Sequence, residues 1–113
     1  MPQLTSNELW NRVRRLRGEI VYTIERKMPN PIEEVTDSYV RIKGRKSRPT
    51  REEIEYAYEW LWEHKSLYVK KGGFDRFIYQ VTPAILLHAV SDQVVVVHRS
   101  GNPEGYSGIR LKS

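Results

Sequence analysis

The sequence predicts a small α+β domain, because two hydrophobic periods occupy different parts of the chain. Within residues 50–65, apolar residues recur every three or four positions, as on one face of a helix. In stretches between residues 19 and 43, apolar and polar residues alternate, as they do in half-buried strands. A chain of 113 residues fits one domain, and we expect its halves, 1–49 and 50–113, to share one core.

The helix predicted over residues 50–65 is the element around which we expect the core to form. Thr50 precedes Glu53 by three positions, which is the spacing of a capping box at a helix start. The apolar face comprises Ile54, Ala57, Tyr58, Leu61 and Trp62. A second surface carries an acidic stripe formed by Glu52, Glu55, Glu59 and Glu63.

The first half is predicted to begin with a short helix. Thr5 or Ser6 can serve as its N-cap, and Glu8 in the first turn favours the positive end of the helix dipole. The apolar face comprises Leu9, Val13 and Leu16, with Trp10 at its flank. Gly18 follows this face and is expected to end the helix.

A three-stranded antiparallel meander is predicted after this helix. Its strands are expected over residues 19–25, 32–36 and 39–43, with a loop at 26–31 and a turn at 37–38. The adjacent Glu33 and Glu34 interrupt the alternation of the second strand, which indicates a bulge or an edge position. In the third strand Val40 and Ile42 share one face, so Arg41 lies on the other.

Beyond the central helix the sequence predicts further short elements. These are a strand at 67–69, a helix at 74–81, a second helix at 82–91, a strand at 93–98, a loop at 100–108 and a strand at 109–112. Thr82 is expected to be the N-cap of the second helix, with Pro83 as its first residue. The four valines at 94–97 indicate a strand that is covered on both faces.

This order resembles the layout of a winged helix over residues 50–112. Residues 82–91 stand in the place of the recognition helix, and residues 99–108 stand in the place of the wing. The resemblance concerns the layout alone, and no sequence motif places the chain in a family. A helix that reads DNA needs polar or basic side chains, and residues 84–90 offer only His88. We therefore expect this helix to pack in the core, with His88 as a buried residue.

The distribution of charge favours a nucleic-acid-binding function. The net charge is +5, but residues 51–63 contain five acidic residues and one basic residue, so the rest of the chain carries +9. Basic residues concentrate in two segments, which contain Arg12, Arg14, Arg15 and Arg17, and then Arg41, Lys43, Arg45, Lys46 and Arg48. Such segregation creates a positive field that attracts a polyanion. The alternative is a solvated surface whose charge the acidic helix balances.

The second basic segment is the strongest candidate for the binding site. Tyr39, Arg41 and Lys43 share one face of the third strand, and the loop that follows adds Arg45, Lys46 and Arg48. These cations can contact phosphates, and the ring of Tyr39 can stack on a base. The nearest acids in the sequence are Asp37 and Glu52, outside the segment. A strand face kept charged to avoid edge aggregation would give the same pattern.

The wing of this layout and the strands beside it supply a second group of candidate contacts, which comprises His98, Arg99 and Arg110. His98 stands beside Arg99, so it can serve a polyanion site or act as a general acid or base. With both groups of cations, the sequence predicts a small basic module that binds nucleic acid, and we favour DNA over RNA as its partner.

A protein-interaction or inhibitor module is the main alternative function. Tyr56 and Trp60 lie between the apolar and acidic surfaces of the central helix, close to Glu59 and Glu63. If these rings are exposed, they offer a surface to a protein partner or to a second copy in a homodimer. If the first helix covers them, they belong to the core, and this is the arrangement that we expect.

The motifs of common catalytic sites are missing from the sequence. It contains no HxH or HExxH metal spacing, no GxSxG nucleophile motif, and neither GxxxxGK[ST] nor GxGxxG. We therefore expect no cofactor, no metal and no enzymatic activity. A metal-independent ribonuclease built from Arg, Lys, Tyr and His is a second alternative, because such a site leaves little trace in a sequence.

Composition also bears on the compartment. The chain has no cysteine, which excludes disulfides and thiolate metal sites and is compatible with a reducing compartment. The longest apolar runs, 84–87 and 94–97, are too short to span a bilayer. Residues 1–17 lack the apolar region of a signal peptide. We therefore expect a cytoplasmic protein that does not associate with membranes.

Overall fold

The computed structural model describes residues 2–46, 48–68, 81–101 and 107–112. The elements in these ranges are α1 (Ser6–Arg14), β1 (Ile20–Tyr22), β2 (Pro29–Val35), β3 (Val40–Ile42), α2 (Arg51–His64), β4 (Ser66–Tyr68), α3 (Val81–Ala89), β5 (Val94–Val97), a 3-10 turn (Arg99–Gly101) and β6 (Gly108–Leu111). The predicted α+β class is confirmed, since a helix and a three-stranded antiparallel sheet precede the second half. The helix predicted at 74–81 and most of the loop at 100–108 lie outside the described residues.

Helix α1 begins with a capping box, as its sequence suggests. The Thr5 side chain accepts a hydrogen bond from Glu8 N at 3.2 Å, and Glu8 Oε1 accepts one from Thr5 N at 3.0 Å. These hydrogen bonds from Thr5 lower the pKa of the Glu8 carboxyl. Trp10, which we expected at the flank, is only 1% exposed, and its indole N–H donates to Thr36 O at 2.8 Å. The ring therefore ties α1 to the turn between β2 and β3.

Strands β1, β2 and β3 form the predicted antiparallel meander, with β2 in the centre. β2 begins at Pro29, so the prediction of a loop over 26–31 is wrong for its second half. Ile32 N–H points toward β1 and donates to Glu19 O at 2.8 Å. The backbone groups of consecutive strand residues point toward opposite neighbouring strands. The backbone nitrogens of Pro29 and Pro31 therefore point toward the side of β3, which has already ended there. Prolines are tolerated at these positions because no N–H is needed.

The bulge predicted at the paired glutamates is present. β2 pairs with β3 through Ile32 and Ile42 and next through Glu34 and Arg41, which makes Glu33 the extra residue. Since β2 is the central strand of the sheet, the alternative of an edge position is not realised. The bulge brings two carboxylates next to one guanidinium.

Strand β1 buries one residue and exposes its two larger neighbours. Val21 is fully buried, whereas Ile20 is 46% exposed and Tyr22 is 48% exposed. The alternation of the sequence places Ile20 and Tyr22 on one face, but it does not say which face the core covers. Helix α3 packs against β1, so the face with Val21 is inside and the face with Tyr22 is outside.

Helix α2 has the bounds and the orientation that its apolar spacing predicts. The Thr50 side chain accepts from Glu53 N at 3.1 Å at the start of the helix, and Lys65 closes it in the left-handed conformation with φ of +68°. The inward face comprises Ile54, Ala57, Tyr58 and Leu61, all buried, with Trp62 half-buried beside them. α2 packs against α1, α3 and the second sheet.

The second sheet is antiparallel and has the strand order β4-β6-β5. Gly108 in the central strand lies against β4 so closely that a Cβ there would stand 2.2 Å from Leu67 O. In β5 only Val94 is buried, and residues 95–97 are half-buried. The prediction that this strand is covered on both faces is therefore wrong, because Val95 and Val97 on one face are only half-buried.

Helix α3 packs in the core, as predicted, but its details differ from expectation. Ala84, Ile85 and Leu86 are fully buried, and the helix contacts α1, α2, β1, β5 and β6. Thr82 lies inside the helix and is not its N-cap, because the helix already includes Val81. His88 is exposed, so the expectation of a buried histidine is wrong. It stands on the narrow strip of α3 that faces solvent.

None of the helices in the described ranges combines the length and the apolar composition needed to cross a membrane.

Candidate nucleic-acid interface

Strand β3 separates its apolar and basic residues as the sequence predicts. Val40 is 1% exposed and Ile42 is 2% exposed, so both belong to the core. Arg41 between them lies on the opposite face of the sheet, and Lys43 after them is exposed. This burial is what directs the cationic side chains of the segment outward.

Arg41 is neutralised, contrary to what its distance from acids in the sequence suggests. One guanidinium nitrogen, Nη2, lies 2.9 Å from Glu33 Oε1 and 2.9 Å from Glu34 Oε2. The bulge in β2 creates this contact, because it places both glutamates opposite the same residue of β3. Two carboxylates facing one guanidinium leave this end of the sheet with a net negative charge.

The loop after β3 carries three cations that are exposed and have no ion pair with any described residue. We call Lys43, Arg45 and Lys46 the loop cations. The turn that presents them is closed by a hydrogen bond from Arg45 N to Ile42 O at 3.2 Å, and Gly44 supplies the left-handed conformation with φ of +78°. The hydrogen bond and the glycine shape the turn, and the basic side chains around it are exposed.

Tyr39 and Arg48 form a contact of their own at the end of this loop. The Arg48 guanidinium carbon lies 4.9 Å from the centre of the Tyr39 ring, within the range of a cation–π interaction. Arg48 therefore covers one face of a ring that is itself half-buried. The predicted stacking of a base on Tyr39 would have to displace Arg48 from that face.

The candidate residues of the wing belong to the second sheet and its connections. Arg110 is exposed on β6, and His98 is exposed directly after β5. Arg99 is mostly exposed but lies 3.3 Å from Glu25 Oε1, so the wing is tied to the segment after β1. Residues 102–106, which would complete the wing, lie outside the described residues.

Two of the arginines around α1 serve the fold. Arg12 Nη1 lies 2.5 Å from Asp92 Oδ1, and Arg14 contacts the Asp37 carboxylate. The hydrogen bond from Arg12 lowers the pKa of the Asp92 carboxyl. Sequence clustering alone does not separate these paired arginines from the loop cations.

The meander carries an exposed apolar surface that its sequence does not predict. Ile20, Tyr22 and Met28 are each close to half exposed, and Arg26 and Lys27 stand exposed in the hairpin between β1 and β2. The two prolines of β2 hide this surface in the sequence, because prolines indicate a loop where a strand in fact begins. The phase of β1 is not signalled either, since either face of the strand could be the buried one.

The aromatic surface of α2 is only partly covered. Tyr56 is 40% exposed, so the expectation that α1 buries both rings is wrong for this residue. Trp60 is half-buried and stacks on His64, with ring centres 3.9 Å apart. Glu59 and Glu63 are exposed beside them. The partner surface of the alternative function thus consists of one exposed ring and two carboxylates.

The three histidines do not form a recognisable catalytic group. His64 ends α2, His88 lies on α3 and His98 follows β5, and all three are exposed. Within the described residues, no three His, Cys, Asp or Glu side chains come together as a group that could hold a metal ion.

Comparisons of the chain with family models, with curated proteins and with solved structures gave no match. Function is therefore inferred from the geometry and charge of the chain's own residues.

Proposed function

We propose that the chain is a small nucleic-acid-binding module, with DNA as its partner, that contacts phosphates through the loop cations. The observation that carries the proposal is a difference in ion pairing between the loop cations and five arginines elsewhere in the chain. The loop cations have no ion pair among the described residues, whereas Arg12, Arg14, Arg41, Arg51 and Arg99 each face a carboxylate. Unpaired cations on this turn can bind a phosphate without first breaking an internal ion pair.

The remaining candidate residues have secondary parts in this proposal. Arg48 is exposed and can donate to a phosphate while its guanidinium stays on Tyr39. His98, Arg99 and Arg110 would add contacts from the second sheet if the nucleic acid reaches the wing. The cytoplasmic location is part of the same proposal, and the absence of cysteine supports it.

Salt dependence of binding tests the loop cations directly. Arg45→Gln/Lys46→Gln removes two positive charges from the loop, and Lys65→Gln/Lys112→Gln removes two exposed charges near the ends of β4 and β6. Each lost phosphate contact lowers the slope of log affinity against log salt by about 0.9 on duplex DNA. We expect the loop variant to bind more weakly, with a slope reduced by up to about 1.8, and the control to bind as the parent does. Fluorescence anisotropy at several salt concentrations measures both quantities.

Two results would overturn this proposal. Equal affinity and slope for the two double variants would show that the loop is not the contact surface. A parent chain that binds neither DNA nor RNA at low salt would reject nucleic acid as the partner. The second result would favour a protein partner on the surface of Tyr56, Glu59 and Glu63.

A further inference from the structure

The outer face of the meander can be assigned from the strand pairing. Ile20 lies opposite Pro31, and Tyr22 lies opposite Pro29, so these four side chains share one face of the sheet. Val21 between them is fully buried, which shows that the shared face is the one turned away from the core. We call this group of four residues the outer face.

The outer face is apolar where an antiparallel sheet usually presents polar side chains to water. Four large hydrophobic residues are exposed in the described part of the chain, and three of them, Ile20, Tyr22 and Met28, lie on or next to this face. Pro31 and Pro29 of β2 extend this apolar surface beside Ile20 and Tyr22. Exposed apolar side chains that are contiguous, and not scattered, indicate a binding surface.

Cations border the outer face on two sides. Lys43 N donates to Pro31 O at 3.0 Å, which places the start of the loop after β3 beside Pro31 of the outer face. Arg26 and Lys27 occupy the hairpin at the end of β1, next to Tyr22. Arg26, Lys27 and Lys43 have no ion pair with any described residue.

We propose that the outer face binds single-stranded nucleic acid, with a base stacked on the ring of Tyr22. The phosphates on one side of the base would lie against the loop cations, and those on the other side against Arg26 and Lys27. This inference rests on the proposed function and adds to it the form of nucleic acid and the aromatic contact.

The apolar outer face and the cations beside it together favour single-stranded nucleic acid over a duplex or a second copy of the chain. In a duplex the bases are stacked on one another, so an exposed ring can stack only on a base of a single strand. A second copy of the chain would bring two sets of unpaired cations together, which is unfavourable. The acidic pair Glu33 and Glu34 lies at the other end of the sheet and discourages phosphates from that end.

Substitution of Tyr22 separates stacking from phosphate binding. We expect Tyr22→Ala to weaken binding of a labelled oligothymidylate about 5-fold to 150-fold, the range that corresponds to ~1–3 kcal/mol for one stacked base. The slope against log salt should not change, because no charge is removed. Tyr22→Phe keeps a ring and should bind as the parent does. Tyr56→Ala is the matched control, since it removes a ring of similar exposure from α2.

The outcomes distinguish this inference from the function on which it rests. Tyr22→Leu accompanies Tyr22→Ala, because leucine keeps the apolar strand surface if alanine lowers the melting temperature. If both variants bind the oligothymidylate as the parent does while Arg45→Gln/Lys46→Gln binds more weakly, the stacking surface is rejected and the proposed function stands. The same holds if the parent prefers a duplex of equal length. If the parent binds no nucleic acid at all, both are rejected, and the outer face becomes a candidate site for an acidic protein.

Discussion

Leu61 and Glu59 stand two positions apart on α2 and have opposite environments. Leu61 is fully buried in the core, whereas Glu59 is exposed and belongs to the acidic surface. The same contrast holds along β3, where Val40 is buried and Arg41 faces away from the core. At the scale of single residues, burial and partners together decide whether a side chain stabilises the fold or stays available for binding.

Alanine substitutions on α2 should separate these two classes of residue. Leu61→Ala removes a fully buried side chain and leaves a cavity, so the free energy of unfolding should fall by about 2–5 kcal/mol. Glu59→Ala removes an exposed side chain and should change it by less than about 1 kcal/mol. Urea unfolding of both variants checks the prediction. Similar losses for the two would show that α2 is oriented differently from the structure.

At the scale of elements, backbone pairing limits which residue can occupy a position. Pro29 and Pro31 fit into β2 because β3 ends beside them, and Glu33 is accommodated as the extra residue of a bulge. Gly108 fits between the strands of the second sheet because it has no Cβ. A tight contact of this kind is invisible in the sequence, where Gly108 looks like the last residue of a turn-rich loop.

A methyl group at Gly108 should disrupt the second sheet. The Cβ of alanine would lie 2.2 Å from Leu67 O and 2.8 Å from Tyr68 Cα, so β4 or β6 would have to move. We expect Gly108→Ala to lower the free energy of unfolding by about 1–3 kcal/mol or more, as overpacking does. Arg110→Ala on the same strand is the control, because its side chain is exposed. A Gly108→Ala variant with the parent's melting temperature would contradict the close approach of β4 and β6.

At the scale of the whole molecule, α3 and a few polar links connect the two halves of the chain. α3 contacts α1 and β1 of the first half as well as α2, β5 and β6 of the second. The Tyr58 hydroxyl accepts from Leu4 N at 2.9 Å and donates to Gln93 Oε1 at 2.8 Å, and Gln93 Nε2 donates to Pro2 O at 3.1 Å. Arg12 and Asp92 add an ion pair between α1 and the turn after α3.

The pair of Arg12 and Asp92 should make stability depend on pH. Arg12 holds the pKa of Asp92 in the folded chain below its ordinary value of 3.8. The stabilisation is therefore fully present above that ordinary value, and it is lost as the pH falls through the lower folded-state pKa. Asp92→Asn should lower the melting temperature slightly at neutral pH and match the parent in strong acid.

Thermal unfolding across this acidic range measures the effect. Glu63→Gln is the control, because it removes one exposed carboxylate that has no ion pair among the described residues. If the difference between Asp92→Asn and the parent stayed constant with pH, the ion pair would not be its source.

The sequence by itself determined the features that depend on neighbours along the chain. The spacing of Ile54, Tyr58 and Leu61 defines the buried face of α2, and the alternation around Val40 and Ile42 defines that of β3. The two adjacent glutamates indicate a bulge or an edge position, and the structure has the bulge. Each of these features follows from the period of a helix or a strand, which a short stretch of sequence already contains.

Only the tertiary structure decided the features that depend on residues far apart in the chain. The outward orientation of Tyr22 depends on α3 covering the other face of β1, and the neutralisation of Arg41 depends on the register between β2 and β3. The exposure of His88 depends on which side of α3 its neighbours leave uncovered. A periodic pattern gives the faces of an element but not the partner that covers each face, because that partner is selected by packing of the whole chain.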